Sequence, residues 1–306
     1  MALRKVGFIP IPPGKQTGFD HADVCRGQTP AASRLYVAHT GADRIEVIDC
    51  LTNTYLHSLS DLPGVAGVLI DSEQHLLFSS DRGCARVSIY RCSDGALLAR
   101  VGVGQRPNGL AYDPARRRLF VFNIGDAPGE NCTVSVVAID KMRLISTIPL
   151  PGRPRWAVYD SVTEQVYANV REPAQIVVLN ADNLQIVRAF DVPAAGPHGL
   201  TIAGERLLCA ADAGALLALH RDTGQVLGSV SLPGEPDVIM HDPMLARLYV
   251  AIGSPGIVAV VDEKRMEMLE TISTEPGAHT IGWNPDESTL YAFLPASEGA
   301  AVFQDQ

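Results

Sequence analysis

Seven short apolar segments recur along the 306 residues, each opening just after a turn that contains Gly or Pro. The residues at their heads are His21, Ala66, Asn108, Arg155, His198, Asp237 and His279, 39 to 47 residues apart. A period of that length marks an architecture made from one repeated supersecondary unit, and four-stranded propeller blades have such a period. The third unit shows the plan. Residues 108–113, 119–123, 133–139 and 143–149 are four runs rich in Val, Ile, Leu and aromatics, separated by Asp, Asn, Gly and Pro. None carries a sustained 3.6-residue period, so the unit reads as an antiparallel meander.

Second strands are expected at 35–39, 77–81, 119–123, 166–170, 207–211, 248–252 and 290–294. The seventh unit ends after its third strand, near 300–303, while residues 5–12 have the composition of an outer strand. Pairing that N-terminal strand into the last blade closes the ring and limits exposed sheet edges. The expected fold is all-β, a seven-bladed β-propeller of four-stranded antiparallel blades, and residues 1–306 are read as one domain because a propeller grows by adding blades.

Several stretches carry a resemblance: Arg34-Leu-Tyr-Val-Ala-His39, Arg247-Leu-Tyr-Val-Ala251, the Asp113-Pro114 and Asp242-Pro243 turns, and Ile45-Glu-Val-Ile-Asp49. Together they resemble the YVTN-type seven-bladed propellers, a group overlapping lactonase-like propellers. His39 and Ile252 stand where that family usually has Asn. The resemblance implies the fold and supplies no active site, since this scaffold hosts enzymes, electron carriers and binding modules.

A formal net charge of −9 argues against nucleic acid as a partner, because no basic stripe is present. The run Arg116 to Arg118 falls in an inner turn at the face opposite the proposed site and reads as solvated loop charge. No 18-residue apolar run and no signal-peptide pattern occurs, so no membrane association is expected. Six cysteines lie scattered without CxxC spacing, which fits a reduced, cytoplasmic protein.

Around a closed ring, units five, six, seven and one are neighbours, so His198, Asp237, His279 and His21 form a contiguous arc. Three imidazoles and a carboxylate suit a divalent transition metal, with Zn, Mn or Fe as candidates. His39, at the end of the first unit's second strand, is expected beside His21 as a fourth nitrogen ligand or a base. Further candidate bases are Asp237, Asp23 and Asp81. Calcium suits the imidazole-rich arc poorly. Across the ring, Arg106, Asn108, Arg153, Arg155 and Arg171 make a cationic side suited to fork-like binding of carboxylate or phosphate. The loop 124–133, with Gly125, Pro128 and Gly129, is a candidate lid. His57, His75, His220 and His241 are read as structural.

Three readings follow. The first is a metal-dependent lyase or hydrolase acting on a small anionic substrate, with His39, Asp237 and Arg155 as catalytic groups and the metal as Lewis acid. The likeness to oligogalacturonate and streptogramin lyases is architectural. The second is a non-haem metal oxidoreductase with four histidine ligands, and the third a non-catalytic propeller that binds a ligand or protein partner.

Overall fold

The computed structural model describes residues 3–27, 29, 32–126 and 130–305. Their apolar runs pair into seven four-stranded antiparallel sheets arranged as a ring. Blade 1 is β2 (Ala22–Cys25), β3 (Arg34–His39), β4 (Arg44–Asp49) and β5 (Thr54–Leu59). The innermost strands of the other blades are β6 (Val65–Asp71), β10 (Pro107–Asp113), β14 (Pro154–Asp160), β18 (Pro197–Ala203), β22 (Pro236–Asp242) and β26 (Thr280–Asn284). Each inner strand packs on the next, and β26 packs on β2, so the ring is closed. Second strands begin one residue earlier than the sequence suggests, as in β7 (Leu76–Asp81), β11 (Arg118–Asn123) and β15 (Gln165–Val170).

Closure uses the N-terminus as expected. β1 (Leu3–Pro10) pairs antiparallel with β28 (Gly299–Asp305) from Leu3↔Asp305 to Pro10↔Gly299, two residues upstream of the expected 5–12. Asp305 is fixed further by Arg247 and by the buried Tyr249 hydroxyl, both of blade 6. On the other side of the seam Ile9, Tyr291, Phe293 and Val302 of blade 7 pack with Val24, Leu35 and Val37 of blade 1. The last blade is therefore held on both flanks.

One backbone irregularity positions the site. In blades 2 to 6 the inner and second strands pair at the first residue, then slip by one, as between Pro107↔Asn123 and Leu110↔Val121. The same break follows Val65, Pro154, Pro197 and Pro236. Two inner-strand residues thus face one partner residue, which is a β-bulge, and bulges re-aim side chains out of the regular alternation. The residues inside the five bulges are the repeat heads Ala66, Asn108, Arg155, His198 and Asp237 with their successors. A proline opening the innermost strand is tolerated because that strand is a sheet edge. Behind Asn108 the next blade approaches closely: a Cβ on Gly109 would lie 2.4 Å from the Arg155 carbonyl oxygen.

At the opposite face, four inner strands, β6, β10, β14 and β22, end in a buried Asp whose carboxylate caps the following turn. Asp71 accepts from the Glu73 and Gln74 amides, Asp113 from Ala115 and Arg116, and Asp242 from Met244 and Leu245. Asp fits because its short carboxylate reaches backbone two residues on. Arg116 lies here, as expected, paired with Asp113, Glu164 and Asp182.

Ile9 is 1% exposed and Val6, on the same strand, 54%. Ile9→Ala is expected to lower unfolding free energy by about 2–4 kcal/mol through the cavity left at the seam, and Val6→Ala to change it by less than about 0.5 kcal/mol. Denaturant melts of the two variants check this; equal effects would contradict a packed closing strand.

Candidate functional site

The bulged residues meet at the axis. A cavity of about 210 Å³ is lined by residues of all blades but the second at the repeat heads: His21, Asn108, Arg155, His198, Asp237 and His279, joined by Arg82 from blade 2. A wider recess of about 600 Å³ adjoins it, sharing Arg155, His198, Asp237 and His279 and adding Arg171 and Asp212. Sevenfold closure therefore brings residues more than 250 positions apart in sequence into one recess.

His198 is held between two carboxylates. Its Nδ1 donates to Asp212 at 2.8 Å and its Nε2 to Asp237 at 2.9 Å. Burial works against the charged ring, but Asp237 and Asp212 outweigh it and raise its pKa to about 9. Burial likewise works against both aspartates, and the facing His198 cation, helped by Arg155, still holds both below the usual carboxylate range. Asp212 also pairs with Arg171 at 3.2 Å. The result is a carboxylate–imidazolium–carboxylate chain spanning blades 5 and 6.

Five arginines, Arg82, Arg106, Arg153, Arg155 and Arg171, line the two recesses against four carboxylates, Asp20, Asp212, Glu235 and Asp237. With the His198 cation the mouth carries an excess of positive charge on a chain of net charge −9. Arg82 is anchored, donating to Asp20 at 3.1 Å and to the Asn108 side chain. The side chains of Arg106, Arg153 and Arg155 make no hydrogen bond or ion pair with a described residue. The Nε atoms of Arg82, Arg153 and Arg155 are buried without an acceptor. Burial lowers the pKa of Arg153, and Arg155, Arg171, Arg106 and Arg82 lower it further by repulsion. Arg155 is lowered by burial too, with Asp237 and Asp212 in opposition. Guanidinium stays protonated under such shifts, so a half-buried group of like charges stands with unmet Nε donors on Arg82, Arg153 and Arg155.

His21 and His279 differ from His198. His21 packs on Trp156 across the axis with ring centroids 4.1 Å apart and the planes tilted by 41°, and its Nε2 lies 3.4 Å from Asp20. Burial lowers its pKa, against the pull of Asp20 and Asp237. The His21–Trp156 pair also lines a channel of about 470 Å³ reaching the opposite face between the inner strands of blades 2 to 4, so the pair stands between that channel and the mouth. His279 has its Nδ1 2.8 Å from the Gly277 carbonyl oxygen. A carbonyl only accepts, so Nδ1 donates to it, and any lone pair on this ring belongs to Nε2.

The expected metal set is brought together but does not form a ligand sphere. A ligating imidazole needs a free lone pair, and both His198 nitrogens are spent on carboxylates, one of them the Asp237 oxygen counted as a ligand. The His21 ring lies against Trp156 with its Nε2 turned to Asp20. Among the described residues no group of three or more His, Cys, Asp or Glu side chains is arranged to hold a metal ion. The donor set of His21, His198, Asp237 and His279 therefore does not fit Zn, Mn or Fe in this arrangement.

His39 is a second correction. It ends β3, but its side chain turns within blade 1, with Nδ1 2.7 Å from the Glu46 carboxylate and its ring stacked on Phe19 at 4.4 Å. The equivalent residues do the same in the next two blades. Asp81 accepts from Ser79, Arg86 and Ser88, and Asn123 donates to Thr133 and Ser135. Strand side chains alternate, so the last residue of a second strand faces its blade and the next one faces the mouth. Asp23 is also remote, accepting from the Val24 and Ile70 amides, and burial raises its pKa to about 6. His241 lies 3.5 Å from Glu263, the structural role expected of it. Of the candidate lid, Pro128 and Gly129 lie outside the described residues.

The same alternation identifies what the sequence reading missed. The residue after each second strand in blades 2, 4 and 5 is Arg82, Arg171 and Asp212. Arg171 was visible as a mouth residue; applying its register to the neighbouring units would have found Arg82 and Asp212.

No protein-family profile matches the chain. The uncharacterized protein YncE of Salmonella typhi and that of Salmonella typhimurium are each 22% identical over 193 residues, covering 61% of this chain. That stretch is 53% of the YncE sequences, so the chain spans about half the length of the curated relatives it matches. Among solved structures, a chain of Kuenenia stuttgartiensis hydrazine synthase superimposes with a TM-score of 0.75 at 13% identity, covering 94% of this chain and 96% of that one. A chain of a mitotic checkpoint complex gives 0.82 at 12% identity over 98% and 91%. Likeness at such identities establishes the seven-bladed fold. No helix among the described residues is long and apolar enough to cross a membrane.

The His198 chain sets a pH dependence. A proton held more tightly in the fold than in the unfolded chain stabilises fully below the ordinary imidazole value of 6.5, and this contribution is lost as pH rises through about 9. The depressed Asp212 and Asp237 contribute above the ordinary carboxylate range and lose their contribution on acidification. NMR titration is expected to show His198 protonated at pH 7.5 and Asp237→Asn to bring its midpoint down by at least one unit. A wild-type midpoint near 6.5 would contradict the chain.

Proposed function

We propose that this propeller binds a small anion, a carboxylate or phosphate compound, at its axial mouth. The observation that carries the reading is the group of buried guanidinium Nε atoms without acceptors, on Arg82, Arg153 and Arg155. A buried donor left unmade costs free energy, and several on one cavity wall are accounted for by a ligand that accepts from them. Arg supports the choice of ligand, because its fork matches the paired oxygens of carboxylate and phosphate. Asp20 and Asn108 orient Arg82, Asp212 orients Arg171, and the His198 chain fixes Asp237 beside Arg155. A cavity of about 210 Å³ suits a small polyanion better than a polymer.

Turnover of the bound anion, as a lyase or hydrolase, is a second reading. His279 favours it: its Nδ1 is committed to the Gly277 carbonyl, so Nε2 is a base on the cavity wall beside the arginines. In that reading His279 withdraws a proton from the ligand and Arg155 neutralises charge that develops there.

Calorimetry with inorganic phosphate, citrate and other small carboxylates tests the binding. Arg153→Ala or Arg155→Ala is expected to weaken the best ligand roughly 10- to 100-fold, the loss of a charge-assisted hydrogen bond of about 1.5–3 kcal/mol, and added salt to weaken it further. Affinity unchanged in both folded variants would sink the proposal. His279→Asn is expected to leave affinity within about threefold while removing any turnover.

A further inference from the structure

Four of the residues read as unremarkable in sequence meet between blades 1 and 2, on the side away from the axial mouth. Cys25 closes β2; Cys92 follows β8 (Arg86–Arg91) in the neighbouring blade. Both line a cavity of about 450 Å³, with His57 and His75 also on its wall. Cys25 Sγ lies 3.8 Å from His75 Nδ1, and Cys92 stands on the same cavity wall. The backbone holds the pair in place: the Cys92 amide donates to the His75 carbonyl at 2.8 Å, and Tyr36 donates its hydroxyl to the Cys92 carbonyl at 2.9 Å. The contact therefore ties three loops of two blades.

We propose that Cys25 and Cys92 form a redox-active dithiol, served by His75, that exchanges with a small disulfide entering this cavity. Thiolate is the reactive form, and a reactive thiol needs a neighbour that stabilises its charge together with access. Here the neighbours are the Cys92 thiol and His75. The Cys92 side chain is the larger influence on Cys25, outweighing burial and, with His75, bringing its pKa down to about 7. Cys92 is pushed the other way, chiefly by its neighbour Cys25, with burial adding to the shift. Burial pushes the buried Cys50 and Cys209 up to about 12, which leaves them inert.

The chemistry balances. The Cys25 thiolate attacks one sulfur of a disulfide R–S–S–R; the R–S bond partner leaves as a thiolate and takes up a proton, and Cys25 becomes a mixed disulfide. Cys92 then gives its proton to His75 and attacks Cys25 Sγ. A Cys25–Cys92 disulfide forms, and the second R–S group leaves as a thiolate and is protonated. Two protein thiols are oxidised and one small disulfide is reduced to two thiols.

The test is made in a Cys84→Ser background, because Cys84 is exposed and would react on its own account. Folded protein is incubated with oxidised glutathione at pH 7.5, and its thiols are mapped by alkylation and mass spectrometry. Loss of two thiols as a Cys25–Cys92 disulfide is expected. Cys92→Ser is expected to stop the reaction at a glutathione adduct on Cys25, and Cys25→Ser to give no adduct on Cys92. His75→Gln, confirmed as folded by its melting transition, is expected to slow iodoacetamide alkylation of Cys25 at pH 7 at least threefold and to narrow that gap at pH 9.5. No reaction of Cys25, an adduct on wild-type Cys25 that never resolves to the disulfide, or equal reaction at Cys50, Cys132 and Cys209 would each overturn the proposal.

Discussion

The innermost strand of a blade has no partner on its axial side, so its backbone and its first side chains must be accommodated by the channel itself. In blades 2 to 6 that constraint is met by a bulge directly after the opening residue, a proline in four of the five. The bulge does two things together. It ends regular pairing where the strand leaves the sheet, and it turns Asn108, Arg155, His198 and Asp237 from the blade toward the axis. Closure of the ring, with β26 packed on β2, then brings these residues face to face.

Packing and charge at the mouth follow from that geometry. A narrow ring forces guanidinium groups together, and burial leaves them short of water, so each is either paired or left with unmet donors. Blades 5 and 6 resolve the problem internally, with His198 shared between Asp212 and Asp237. Blades 3 and 4 leave Arg153 and Arg155 unresolved. The asymmetry matters because a self-satisfied network positions and an unsatisfied one binds. Metal ligation requires a ring nitrogen with a lone pair, and both nitrogens of His198 instead carry protons that they donate to Asp212 and Asp237.

Much of this was legible in the sequence because repeat and register are periodic properties. The head residues His21, Asn108, Arg155, His198, Asp237 and His279 were found by alignment of units, and all of them line the mouth. The N-terminal strand was found from the missing fourth strand of the last unit. What composition could not show was direction. His39 and Asp81 end second strands near the mouth, yet a strand turns alternate side chains to opposite faces, so both bond within their blades while Arg82, one residue on, reaches the axis. Partner identity was equally hidden: Asp212, together with Asp237, makes His198 a cation rather than a ligand, and Cys25 and Cys92 lie 67 residues apart with no spacing to link them.

Anomalous diffraction from crystals soaked in selenate, a tetrahedral oxyanion with a directly visible selenium, tests the central claim most simply. The account predicts a selenium peak in the axial cavity within hydrogen-bonding reach of Arg153 and Arg155, and its loss in Arg155→Ala crystals of the same form. Peaks confined to the outer surface, with the guanidinium groups instead paired to neighbouring carboxylates, would contradict it.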